Sequence, residues 1–217
     1  MSTRVSNEHS IVERALRRGG AASNRVDDPA AEAARRLAQR AAEEGLADVV
    51  YTPVDSPFGE LLLAATRRGL LRLAFPEENV DSVLEGISRR VSPRIVEAPG
   101  QLEEARRELD DYFAGRRHSF ELALDWSLVG GRFGRKVLHA TSEIPYGGVL
   151  SYREVAAGAG SPRGSRAAGN ALGSNPIPIV VPCHRVLRSG GGLGGYGGGV
   201  ERKRWLLELE GALTPRI

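Results

Sequence analysis

Between Asn175 and Val186 the chain reads Asn175-Pro-Ile-Pro-Ile-Val-Val-Pro-Cys-His-Arg-Val186. Three prolines make this the most constrained backbone in the sequence: Pro178 and Pro182 each fix their own φ and push the preceding residue towards extended geometry. The apolar run Ile177–Val181 has the length and β-branched content of a buried strand, which is the expectation for it. It delivers the sequence's only cysteine, Cys183, followed directly by His184, one of four histidines. A thiolate is a nucleophile, and an adjacent imidazole can lower the thiol pKa or take its proton. A lone Cys in an apolar run is more often a small inert hydrophobe, so residue type leaves both readings open. Downstream, residues 190–199 hold eight glycines and one aromatic, Tyr196. Such backbone can pass close to a flat ligand while Tyr196 supplies an apolar wall; the alternative is a flexible linker.

Upstream of this stretch the pattern is helical from about Gly131. Phe133–Ser142 forms one helix, ending before Ile144-Pro-Tyr-Gly147. Ser151-Tyr-Arg-Glu154 is a capping box opening a second, which stops at Gly158-Ala-Gly160. Ser165–Leu172 makes a third, clothed in Ala and Gly, with Arg166 as its one long side chain. Two short helices across a Gly-containing turn are the helix-turn-helix pattern; an ordinary buried helix pair is the alternative. Charge favours an anionic partner. From Gly131 onward there are 12 Lys+Arg against 5 Asp+Glu, a net of +7, whereas the first 130 residues carry 18 against 22, a net of −4. A charged helix over Val200–Glu210 closes this part, with Trp205, Leu206 and Leu209 inward.

The acidic part has a different texture. Residues 1–47 predict two short helices: Ile11–Arg18, opened by a Ser10/Glu13 capping box, and one capped by Asp28 with Pro29 at its first position, ending near Gly45. Val49–Val54, Glu60–Thr66 and Leu70–Phe75 predict an antiparallel meander, followed by a helix over Asn79–Arg90 and a strand near Arg94–Val96. A helix over Gln101–Phe113 and a return to the sheet at Phe120–Leu124 complete a small α+β unit that carries no chemical motif of its own. The expected division is 1–47, 48–125 and 130–217.

One cysteine excludes a disulfide framework and a thiolate zinc cluster. No segment has the apolar length of a membrane span, and the polar stretch Met1–His9 does not read as a signal peptide, so a cytoplasmic protein is expected.

Pro182-Cys-His-Arg-Val186, the preceding Asn175-Pro-Ile-Pro178 and the following Gly195-Tyr-Gly-Gly198 resemble the O6-alkylguanine-DNA alkyltransferases, also called methylated-DNA–protein-cysteine methyltransferases. Ile144-Pro-Tyr-Gly147, Ser151-Tyr152 and Ser165-Arg-Ala167 match that family in order and spacing. The resemblance is strong over 131–211, weaker over 49–124 and absent from the first 47 residues. It implies an α+β fold: a small RNase H-like antiparallel sheet domain followed by a mainly helical domain with a helix-turn-helix.

It also implies roles. Cys183 would take the alkyl group from guanine O6 (and from thymine O4) in a single turnover. His184 would act through a water as base, Glu210 would orient His184, and Asn175 would tie the surrounding turn. Tyr152 would hydrogen-bond the departing guanine. Main-chain groups of Cys183, Val186 and Gly197 would read the base edge, with Tyr196 flanking it, Gly198 counted among the substrate- and DNA-binding residues, and Ala167 letting the helix approach the minor groove. Arg166 would fill the gap left by the flipped nucleotide. The implied partner is double-stranded DNA carrying O6-alkylguanine, met by a monomer, with cooperative assembly of several copies on DNA left open. No cofactor and no structural zinc are implied. Two other classes remain: a non-catalytic helix-turn-helix binder that senses lesions, and a Cys–His thiol hydrolase.

Overall fold

Residues 29–214 are described by the structure, a computed structural model. The helix expected over Ile11–Arg18 and the Asp28 cap lie outside the described residues. Helix α1 (Pro29–Glu43) carries i,i+4 pairs Glu32–Arg36 and Arg40–Glu44 on its exposed surface and packs against the strand that follows the sheet's helix.

Four strands form one sheet in the order β3-β2-β1-β4: β1 Val49–Val54, β2 Leu61–Thr66, β3 Gly69–Ala74 and β4 Ile95–Glu97. The first three are the expected antiparallel meander. The sheet is not wholly antiparallel, however, because β4 runs parallel to β1. Helix α2 (Val80–Arg90), capped by the Asn79 side chain, carries the chain back before β4 begins, as a helical crossover between like-directed strands must. Pro53 lies in an interior strand, which proline normally avoids. It is tolerated because β4 covers only Val49–Tyr51, so the missing N–H has no ladder partner to disappoint. The return at 120–124 is a single bridge, Leu70 with Leu124, rather than a strand.

Alternation along β2 divides the core, and a bulge in the β2–β3 pairing, which leaves Leu71 without a register partner between Leu70 and Arg72, lets Leu71 and Leu73 face opposite ways. Ala64 and Leu71 face α2 and join Val49, Ile87 and Leu128. Leu61, Leu63 and Leu73 face the opposite way and join α3 (Glu103–Phe113) through Leu109 and Tyr112. That second cluster does not stop at the sheet. It continues into α4 (Arg132–Ser142) at Val137 and Leu138, into Ile177 and Ile179, and into α7 (Val200–Leu209) at Leu206. The acidic and basic parts of the chain therefore share one core.

The run Ile177–Val181 is buried as expected but is not a strand. Val181 N–H bonds to Ile177 O at 2.9 Å, Cys183 N–H to Val181 O at 2.8 Å, and Ile179 takes φ +74°. Three prolines in the stretch cannot donate to a ladder, so its remaining donors are satisfied by tight local turns instead. The segment is tied to the sheet edge, where Leu73 N–H and Arg72 Nη1 both donate to Pro176 O at 2.9 and 3.0 Å.

At the turn into β3, Gly69 has φ +128°, and a Cβ there would lie 2.1 Å from Ala123 O. Gly69→Ala combines backbone strain with a clash against main chain, so we expect destabilisation of about 2–4 kcal/mol, read as a lower denaturant midpoint at unchanged slope.

Candidate active site

Two very short strands assemble the site. β5 (Leu150–Ser151) pairs in parallel with β6 (Val186–Leu187), a contact with no sequence signature. Helix α5 (Tyr152–Gly158) starts directly from β5, its Ser151/Glu154 capping box formed with bonds of 3.2 and 2.7 Å. The single 3₁₀ turn Cys183–Arg185 leads directly into β6. The pairing thus sets Tyr152 and Cys183 on one cleft of about 850 Å³. Helix α6 (Ser165–Gly173) forms its rim with Arg166 and Ala167 exposed, and the glycine-rich loop closes the far side with Tyr196 and Gly197. Arg153 and Arg188 also line it, making the mouth basic.

At the floor, Cys183 Sγ accepts from Asn175 Nδ2 at 3.2 Å, and the same amide nitrogen holds Val181 O at 2.8 Å. Asn175 Oδ1 accepts from Ile177 N–H at 3.0 Å, so one side chain fixes both ends of the proline-rich turn. Burial pushes the Cys183 thiol up to about 11, against the lowering effect of Asn175 and Lys203. At neutral pH the resting sulfur is a thiol and needs a base.

Behind it lies a buried carboxylate. Glu210 follows the last turn of α7 and accepts four side-chain bonds from three residues, His184 Nε2 at 2.9 Å, Arg185 Nε and Nη2 both at 2.9 Å, and Tyr112 Oη at 2.6 Å, with a longer one from Gly147 N–H at 3.4 Å. Burial raises its pKa, but the His184 and Arg185 bonds outweigh that and hold it at about 2. An ionised carboxylate only accepts, so His184 Nε2 carries the hydrogen and Nδ1 carries the lone pair. Nδ1 is buried and meets no protein partner. Desolvation, the largest influence on His184, lowers its pKa, and the Arg185 charge acts in the same direction. The imidazole is neutral at rest, with its basic nitrogen unengaged by protein. Arg185 also donates to Ile144 O at 2.5 Å, so the Pro-Tyr-Gly turn is fastened to the same hub.

Tyr152 is half-buried, with Oη 3.4 Å from Gly195 O. Desolvation, then the nearby Cys183, raise its pKa, keeping the phenol a donor. Val186 N–H bonds to Cys183 O, closing the turn, and Val186 O accepts from Lys203 Nζ at 2.5 Å. Each of these carbonyls keeps a second lone pair for a ligand. Gly198 stands slightly apart from the cleft: a Cβ there would meet the Phe75 ring at 2.6 Å.

The geometry thus brings Cys183, Tyr152, Tyr196 and Gly197 to one cleft with Arg166 at the rim, sets Asn175 against the sulfur, and puts His184 and Glu210 behind the sulfur's turn; Ala167 is exposed on α6 and Val186 is buried, and neither lines the cleft. Sequence reasoning gave no role to four residues that complete it. Arg185 was visible only as part of a motif, and Tyr112 comes from the part expected merely to support. Lys203, buried and held down to about 8 by desolvation, is one of two lysines in an arginine-rich chain. Arg188 could have been found as a basic residue five positions after the thiol. Among the described residues no group of three or more His, Cys, Asp or Glu could hold a metal ion, and no helix is long and apolar enough to cross a membrane.

Two family models cover most of the chain. The ribonuclease-like domain of 6-O-methylguanine DNA methyltransferase matches residues 49–126, and the DNA binding domain matches residues 132–212. A methylated-DNA–protein-cysteine methyltransferase of Mycolicibacterium paratuberculosis is 41% identical over 167 residues, 77% of this chain and 95% of that one. The constitutive enzyme of that name from Bacillus subtilis is 40% identical over 164 residues, 74% and 94%. Among solved structures, Mycobacterium tuberculosis O6-methylguanine methyltransferase superposes with a TM-score of 0.66 at 41% identity, covering 78% of this chain and 96% of that one. The M. tuberculosis OGT in complex with DNA gives 0.64 at 42%, covering 74% and 92%.

A thiol held near 11 reports itself through labelling. With iodoacetamide in the absence of DNA, the rate at Cys183 should climb about tenfold per pH unit from pH 7 to 10, without the plateau near 8.5 that an ordinary cysteine gives. A plateau below pH 9 would contradict the desolvated thiol.

Proposed function

The chain belongs to the 6-O-methylguanine DNA methyltransferase family, and from that premise we propose that it repairs O6-alkylguanine in DNA by moving the alkyl group onto Cys183. One observation carries the reading: the only cysteine lies at the floor of a basic-rimmed cleft, next to an imidazole whose other nitrogen is fixed by an ionised carboxylate. The M. tuberculosis relative's complex with DNA supports DNA as the partner; on this reading the DNA is double-stranded, inside the cell, and met by one copy of the chain per lesion.

The chemistry follows from the charges. His184 Nδ1 takes the thiol proton through a bridging water, and Glu210 stabilises the imidazolium that results. The thiolate, steadied by the Asn175 amide, attacks the alkyl carbon in line. A carbon–sulfur bond forms as the carbon–O6 bond breaks, its electron pair passes to the guanine, and Tyr152 donates a hydrogen bond to the leaving base. The same displacement is open to O4-alkylthymine. The thioether has no proton to return and no activated acyl group for water to attack, so each chain reacts once. Guanine O6 is inaccessible in a stacked duplex, so the nucleotide must be extruded at roughly a few kcal/mol. Arg166, exposed on a helix otherwise clothed in Ala and Gly, is the side chain suited to occupy the gap.

Intact-mass analysis after mixing with excess O6-methylguanine duplex should show one added methyl per chain, located on Cys183 and absent from Cys183→Ser. More than one methyl per chain, or label on another residue, overturns the single-acceptor reading.

Arg166→Ala should slow repair of the duplex by about 10²-fold, the scale of a lost positioning contact, while reaction with free O6-benzylguanine base changes little. Equal losses on both substrates would rule out a role in extrusion.

A further inference from the structure

The loop Tyr196–Gly199 is a thin wall between two spaces. On one side is the cleft that Cys183 opens into, lined by Tyr196 and Gly197. On the other is a separate cavity of about 630 Å³, bordered by Phe58, Trp205 and residues 197–202. A wall of three glycines and one tyrosine has side-chain bulk only at Tyr196, and its glycines present none to resist displacement into that second space.

What braces it comes from Arg202 and the sheet. Arg202 Nη1 donates to Gly198 O at 2.8 Å. Its guanidinium then spans to Glu77, just beyond β3, with Nη1–Oε2 3.0 Å and Nη2–Oε1 2.5 Å. It lies over the Phe75 ring at 4.6 Å and the Phe58 ring at 5.4 Å. Phe75 in turn meets Tyr196 edge-on at 6.0 Å and fills the space a Gly198 side chain would need. One cation thus joins the loop carbonyl, a carboxylate and two aromatic faces, a fixed fork that a point charge would not reproduce.

We infer that Arg202, held by Glu77, is a positioning residue that keeps the Tyr196–Gly199 loop closed against the alkyl group and so sets the size of group the site accepts. The inference rests on the alkyl-transfer reading given above. Tight closure aligns a methyl group for in-line attack and crowds a larger one. Releasing the loop towards the second cavity costs alignment for the small group and relieves crowding for the large one.

The test compares second-order transfer rates on one duplex sequence carrying either O6-methylguanine or O6-benzylguanine. In Arg202→Ala and in Glu77→Ala, methyl transfer should fall about tenfold and benzyl transfer by much less, raising the benzyl-to-methyl ratio several-fold. Arg202→Lys, a point charge that can serve Gly198 O or Glu77 but cannot reproduce the fork, should give a ratio between those of wild type and Arg202→Ala. A merely structural role would lower both rates together and leave the ratio unmoved. Glu77 keeps two-thirds of its side chain exposed, so its replacement leaves the core intact even if Arg202→Ala fails to fold. An unchanged ratio in Glu77→Ala, with wild-type chain transferring both groups, overturns the latch alone. Failure of the wild-type chain to transfer either group overturns the repair reading, and the latch with it.

Discussion

The buried negative charge of Glu210 ties the site to the fold. Its side chain is fully shut off from bulk solvent, and a lone carboxylate in that position would carry a prohibitive desolvation cost. It is ionised because Arg185 neutralises it through two bonds while His184 and Tyr112 add two more. The partners reach from two distant parts of the chain: the reactive turn, through the adjacent His184 and Arg185, and helix α3 of the sheet region, through Tyr112. Removing a member of such a set leaves a buried charge unpaired, at about 3–5 kcal/mol. The site and the fold therefore depend on the same contact.

The arrangement also settles a chemical difficulty. A thiol buried deeply enough to exclude water is a poor acid, and here it is held near 11. A protonated histidine beside it would help, yet burial and Arg185 keep His184 neutral. The two facts are complementary. Neither group is charged at rest, so no unpaired ion has to be stored, and moving one proton creates a thiolate and an imidazolium together. The imidazolium forms against Glu210, already ionised and already positioned, so little reorganisation is needed when the proton moves.

Joining the two halves through one core gives the sheet region more than a supporting part. Arg72 and Leu73 hold Pro176 O, Tyr112 reaches the carboxylate, and Phe75 packs beside Tyr196. The proline-rich turn, the Glu210 carboxylate and Tyr196 thus each have a brace from outside the helical part. Asn175 plays the corresponding role locally, since one amide satisfies Val181 O and contacts the sulfur it positions.

Sequence alone determined the elements whose signals are local. The capping box at Ser151, the three meander strands, the helix pair and the Pro-Cys-His-Arg-Val motif all depend on residues within a few positions of one another, and those are where the structure has them. Tertiary structure decided what local signals cannot carry. The run Ile177–Val181 has a strand's composition, but proline's missing donors and a positive φ at Ile179 turn it into a buried coil. The parallel β5–β6 pairing joins two-residue segments that no periodicity reveals, and it alone brings Tyr152 to the cleft. Tyr112 and Glu210 lie 98 positions apart, and Glu77 and Arg202 lie 125 apart. A hydrogen bond's energy depends on distance in space, and separation along the chain enters only through the entropy of closing the loop, which folding the shared core has already met.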